Sequence, residues 1–150
     1  TFRFAVANVQ GRIFINPVDC PLKTMDSLLN EIPKDVPVFV DFHAEATSEK
    51  ITLAHYLSGR VTAVVGTHTH VQTSDAEVLP NGTGYITDLG MTGAIYSAIG
   101  IDPEQSIGKF MGDPPRRYDS AKGPAKLEGC IFEIDPETGK CLKAEGIRLK

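Results

Sequence analysis

Cysteine is scarce in this chain and odd in number: Cys20, Cys130 and Cys141 are the three. An odd count without metal-type spacing argues against a disulfide framework and points to a reduced, cytoplasmic protein. No apolar stretch approaches the ~18 residues of a membrane helix, and no secretory signal pattern opens the chain. No membrane partner is expected. Positive charge is in deficit as well. A net charge of −4 leaves no electrostatic case for gripping a nucleic-acid backbone. Internal repeats, low-complexity runs and obvious linkers are all missing.

What remains is the composition of a globular domain. The 150 residues are 41% apolar and 23% charged, which suits a single domain over 1–150. A chain of that size buries roughly 68–70% of its unfolded surface. The start is abrupt: there is no initiator Met, and Thr1 leads at once into Phe2, Phe4 and Val6, which alternate like a strand. This suggests the C-terminal piece of something longer.

Along the chain, residues 2–8 read as a strand and Ile13 to Ile15 as a short second one before the Asn16-Pro17 turn. Pro21 opens a helix with Met25, Leu28, Leu29 and Ile32 in a stripe, and Pro33 ends it. Val36 to Phe42 is a buried, β-branched strand of the kind found inside parallel sheets. Thr47 or Ser48 caps the next helix, which stops at Gly59, and Val61 to Val65 is another buried strand. Strand, helix, strand is a βαβ unit, so the fold class is α/β with a parallel sheet. Tyr85 to Thr87 is a short strand, and the Gly-rich turn from Asp88 to Gly93 opens a short helix through Ser97. Residues 100–126 read as a long loop or arm. Glu128 to Ile134 and Cys141 to Leu149 form a terminal hairpin across residues 135–139. With Asp135 and Lys140 closing the turn, Cys130 falls opposite Glu145.

The chemistry lies with the histidines. His68-Thr69-His70 follows the apolar run Val61 to Val65 and Gly66, and His43 follows the run that begins at Val36. Three of four histidines thus sit just past strand ends, where open α/β sheets place their sites. Neutral imidazole is the commonest metal ligand. An extended backbone at His68 and His70 would put both rings on one face, their Cα atoms about 6.6 Å apart at about 3.3 Å per residue. That span suits one shared ion or two neighbouring ones. Gly66 would let the chain turn without a Cβ clash. Asp41 shares a face with His43 and either orients its ring or binds the backbone of the following loop. Glu45 is a ligand, a partner of a ligand, or a loop and capping acid. His55, inside an amphipathic helix, reads as packing or surface. Thr69, Thr73, Ser74 and Gly90 to Gly93 offer hydroxyl or N–H groups to a phosphate, or serve turns alone. Arg116 and Arg117 reach a phosphate as guanidinium forks or make surface or subunit contacts.

Three segments in order, Asp41 to Lys50 (DFHAEATSEK), Gly66 to Thr73 (GTHTHVQT) and Thr87 to Gly93 (TDLGMTG), closely resemble the YmdB-like metallophosphoesterases. These belong to the calcineurin-like dinuclear phosphoesterase superfamily. The resemblance runs over essentially the whole chain. It implies part of a four-layer α/β/β/α sandwich with a C-terminal β-hairpin and two metals between strand ends. It also implies hydrolysis of phosphodiesters, in relatives 2′,3′-cyclic nucleotides, by a metal-bound hydroxide. Carried over by motif, His43 and His68 resemble ligands of one metal and His70 a ligand of the other. The ions would be Mn or Fe, with Zn admissible. A homo-oligomer, and pairing with the chain's own missing N-terminal segment, are further expectations. The family's N-terminal half brings an Asp ligand, a bridging acid, Asn ligands and the His that serves the leaving group, and this chain has none of those motifs. Three neutral imidazoles cannot balance two divalent ions, so this chain supplies only part of a site, with catalytic and substrate-binding residues unassigned. Two other readings stay open: a mononuclear zinc hydrolase built on the same three histidines, and a non-catalytic binding or assembly fragment.

Overall fold

The computed structural model describes residues 3–150. In chain order the elements are β1 (Ala5–Gln10), α1 (Pro21–Glu31), β2 (Val38–His43), α2 (Thr47–Leu57), β3 (Ala63–Thr67), β4 (Glu77–Val78), β5 (Gly84–Ile86), β6 (Gly93–Ala94), α3 (Pro103–Met111), β7 (Ala125–Ile134) and β8 (Cys141–Leu149). One sheet has the order β1-β2-β3-β5-β4 and the other β6-β7-β8. The strands β1, β2, β3 and β5 run parallel, as the strand-helix-strand pattern requires. No helix among the described residues is long and apolar enough to cross a membrane.

The two faces of the first sheet carry different cover. Val38, Val40, Phe42 and Val64 turn one face toward Met25 and Leu29 of α1 and Leu53 and Leu57 of α2 in a single buried cluster. Helix α1 begins at Pro21 and ends with Ile32 extended before Pro33, which excludes the helical conformation from its neighbour. The other face is met by the hairpin over β5, where a Cβ on Gly84 would strike the Phe132 ring and the Cys141 sulfur. The same face carries Asp41, His43 and Thr67, since Asp41 pairs with Val65 and His43 with Thr67 in the ladder. All three cysteines are free thiols.

Several elements differ from the sequence-based expectation. Strand β1 lies at 5–10 rather than 2–8, and Phe2 is outside the described residues. Ile13 to Ile15 is not a strand: Phe14 has φ 63°, and the Glu49 carboxylate takes the N–H groups of Arg12 and Ile13. Helix α2 is capped by neither Thr47 nor Ser48. Its N-cap is Ala46, whose carbonyl receives the N–H of Glu49 and Lys50. Segment 88–97 forms no helix because Gly93 and Ala94 pair with β7. The supposed arm at 100–126 contains α3. Asp102 caps it through the Glu104 N–H at 3.0 Å, Pro103 is its first residue, and Gly112 closes it at φ 95°. In the hairpin, Asp135 N–H reaches Lys140 O at 2.9 Å as expected. A bulge between Glu133 and Ile134 then shifts the register, so Cys130 pairs with Gly146 and Ile131 takes Glu145.

The most consequential buried contact is ionic. Lys50 on α2 reaches Asp88 after β5 at 2.8 Å, and both side chains are 1% exposed. Gly66 makes the passage possible, since a Cβ there would collide with the Thr87 carbonyl and with Cδ of Lys50. The glycine serves close packing inside β3, not the bend after a strand. Burial pushes the Asp88 carboxyl up, but the Lys50 ammonium and the N–H groups of Gly90 and Thr69 hold it below the ordinary value. Glu128 follows the same pattern: its burial is outweighed by Lys126 and the Met91 N–H, with Arg148 adding to them.

Removing one charge of the buried pair leaves the other uncompensated, so Lys50→Met should lower stability by about 3–5 kcal/mol in urea denaturation. A loss below about 1 kcal/mol, the range of surface pairs, would refute this account. Asp88 and Glu128 are more acidic in the folded chain than in the unfolded one. Their contribution is complete above the unfolded values of about 3.9 and 4.3 and is lost as pH falls through the lower folded values. The thermal midpoint should therefore hold down to about pH 5 and drop below about pH 4, with a shallower acid limb in Glu128→Gln. An unchanged limb would remove Glu128 from the account.

Candidate functional site

The carboxyl ends of β2 and β3 open onto a cleft of about 620 Å³ lined by Asp41, His43, Thr67, His68 and His70, with Gly90 to Ala94 and Ile99 opposite. Three of the four histidines meet there, as their strand-end positions suggest. Their arrangement is not the one an extended backbone gives. His68 has φ 108° and His70 φ 62°, both left-handed and unusual for residues with a Cβ. The chain therefore turns at each histidine and sends the two rings apart.

His68 goes to His43. Nδ1 of His68 lies 3.0 Å from Nε2 of His43, and the rings stand edge-on with centroids 4.8 Å apart. The far nitrogen of His68, Nε2, lies 2.8 Å from Glu45 Oε2. Glu45 is thus the partner of a histidine, not a loop or capping acid. His70 goes across the cleft instead, its Nδ1 donating to the Ile99 carbonyl at 2.8 Å, which leaves Nε2 as its lone-pair nitrogen. Asp41 contacts neither a histidine nor the following loop's backbone. It accepts from Asn8 Nδ2 and Thr67 Oγ1, each at 2.8 Å.

The strained histidine segment is held from beneath by Asp88, whose Oδ2 accepts the Thr69 N–H at 3.0 Å while Oδ1 accepts that of Gly90 at 2.9 Å. From the second sheet, Glu128 takes the Met91 N–H at 3.2 Å. Gln72 donates from Nε2 to the carbonyls of Gly129 and Ile147, both at 2.9 Å. Asp88, Lys50, Gln72 and Glu128 carry no sequence signal of their own for this work. Only the juxtaposition of distant segments reveals it.

Several candidate anion contacts are occupied by turn bonds. Thr69 Oγ1 receives the Val71 N–H, Thr73 Oγ1 that of Asp88, and Gly90 and Met91 donate to carboxylates. Ser74 lies with Gln72 and Arg148 in a separate depression. Arg116 and Arg117 are exposed and do not line the cleft. His55 is a surface residue of α2.

Among the described residues no three His, Cys, Asp or Glu groups stand close enough to hold an ion by themselves. The donor chemistry nonetheless fits a metal in part. Two ring nitrogens converge from neighbouring strand ends, and a third histidine keeps one nitrogen free in the same cleft. The carboxylates that would balance a dication's charge are engaged elsewhere.

The chain resembles known proteins along nearly its full length. It is 50% identical over 144 residues to the 2′,3′-cyclic-nucleotide 2′-phosphodiesterase of Bacillus subtilis (strain 168), matching 95% of this chain and 54% of that protein. The chain therefore spans about half the length of that curated relative. A crystal structure of a hypothetical protein from Thermus thermophilus superposes with TM-score 0.90 at 44% identity, over 96% of this chain and 56% of that one. That of a novel phosphatase from Mycoplasma pneumoniae gives TM-score 0.88 at 39% identity, over 96% and 52%. The model of the YmdB-like protein family matches residues 1–147, and the chain belongs to that family.

Proposed function

We propose that this chain carries the three-histidine half of a metal-dependent phosphodiesterase site, and that the whole enzyme hydrolyses small phosphodiesters of the 2′,3′-cyclic nucleotide type. The observation that carries this reading is the 3.0 Å approach of His43 Nε2 and His68 Nδ1 at adjacent strand ends. Two imidazole nitrogens aimed at one point, each with its other nitrogen near an oxygen acceptor, form the donor pair of a transition-metal site. The named activity of the B. subtilis relative supplies the reaction and the substrate class.

In this reading His43 and His68 hold one ion and His70 the other. His70 turns to the Ile99 carbonyl while His43 and His68 face each other, which favours two ions over a single zinc shared by all three. Mn or Fe suits imidazole with added carboxylates, and Zn is admissible. When bound, the ions offset phosphate charge and lower the pKa of water. The chain's own part is to fix three nitrogens. Glu45 orients His68, the Ile99 carbonyl orients His70, and Asp88 holds the loop between them. The remaining ligands would come from the part of the relatives that this chain does not match. The whole domain would be a four-layer α/β/β/α sandwich, with residues 1–150 as its C-terminal part, acting in the cytoplasm as a homo-oligomer.

In the complete protein, His43→Ala and His68→Ala should each lower turnover of 2′,3′-cyclic AMP by more than the ~10–100-fold that changes around a ligand cost. Metal content by elemental mass spectrometry should fall with it. Full activity and full metal content in both variants would refute the ligand assignment.

A further inference from the structure

We propose that Asp41 and Thr67 are positioning residues for His43, joined in a relay that fixes which ring nitrogen faces the cleft. The register sets the relay. His43 pairs with Thr67 across β2 and β3, while Asp41 pairs with Val65 one step back on the same face. Thr67 therefore stands between the carboxylate and the imidazole. Its Oγ1 is 2.8 Å from Asp41 Oδ1 and 3.3 Å from His43 Nδ1. An ionised carboxylate only accepts, so the Thr67 hydroxyl donates to Asp41. The single hydroxyl hydrogen is then committed, and Thr67 can only accept from the imidazole. That places a proton on His43 Nδ1 and leaves Nε2 as a lone pair facing His68.

Asp41 is itself fixed. Asn8 Nδ2 donates to its second oxygen at 2.8 Å from the neighbouring strand. The order Asn8, Asp41, Thr67, His43 thus runs across three parallel strands, each member with one defined direction of donation. His68 extends it. Its Nε2 donates to the Glu45 carboxylate, which only accepts, so its Nδ1 carries the lone pair of the neutral ring. That lone pair and the one on His43 Nε2 face each other at 3.0 Å, an arrangement that requires a cation between them. The hydroxyl intermediary has a geometric reason. Asp41 and His43 are two residues apart on one strand, and parallel side chains at that spacing do not meet end to end. A short branched side chain on the next strand bridges them.

The test reads the tautomer directly. Long-range 1H–15N NMR on the metal-free His68→Ala chain, where no second imidazole competes for Nε2, at a pH well above the ordinary imidazole value of about 6.5, should show His43 with its proton on Nδ1. Thr67→Val keeps the shape and removes the hydroxyl, and should move the proton toward Nε2. Thr67→Ser should restore the native pattern. The metal-binding consequence rests on the phosphodiesterase reading: zinc affinity by calorimetry should fall ~10–100-fold in Thr67→Val and Asp41→Asn and recover in Thr67→Ser. An Nε2–H tautomer in the His68→Ala chain, or one unmoved when Thr67→Val is added to it, would overturn the relay. A tautomer that responds as expected, with no zinc bound by any variant, would uphold the relay and count against the metal reading instead.

Discussion

The ion pair between Lys50 and Asp88 is the constraint on which the cleft depends. It lies at the junction of helix α2, the Gly66 position of β3 and the turn after β5, and water reaches neither charge. A buried pair is weak evidence of net stabilisation, because desolvating two charges offsets most of their attraction. An apolar pair of similar volume would hold the helix to the sheet as well. It could not receive the N–H groups of Thr69 and Gly90. The carboxylate is needed because two loops end at it, and the ammonium is needed because the carboxylate is buried. The left-handed turns at His68 and His70 persist because Asp88 grips the residue between them.

The two sheets divide the work. The parallel sheet sets distances: its register brings the ends of β2 and β3 level, so that rings from different strands meet. The hairpin side secures what lies beyond those ends. Glu128, almost enclosed and flanked by Lys126 and Arg148, receives the Met91 N–H and so fixes the far wall of the cleft. Each wall is tied to a carboxylate whose charge is matched within its own half of the fold.

The sequence made the parallel core legible because β-branched runs and a Pro-bounded helix carry periodic signals. It also made the meeting of His43 with His68 legible, since neighbouring strands of a βαβ unit end side by side. The directions of the rings were not readable. They follow from backbone angles imposed by Asp88, a contact between segments 19 residues apart. Lys50 was invisible because lysine reads as a solvated face, and nothing local marks the one whose stem runs past a glycine. The two-residue strands β4 and β6 are too short for any period. The hairpin bulge changes register without a residue that announces it. Helix α3 was a different case: Asp102, Pro103 and Gly112 are cap signals, but its apolar residues Ile107, Phe110 and Met111 remain exposed and build no core stripe.

Gln72 offers both N–H groups of one amide to carbonyls that face each other across the hairpin, since Gly129 and Ile147 are direct partners in the ladder. A slip of two residues would keep every hairpin side chain on its own face, so burial alone discriminates poorly against it. The carbonyl ladder also repeats every two residues, so the amide marks where the hairpin meets the first sheet and does not select its register. Gln72 sits only two residues beyond His70. The terminal hairpin is therefore tied directly to the histidine turn, and whatever loosens the hairpin loosens that turn as well.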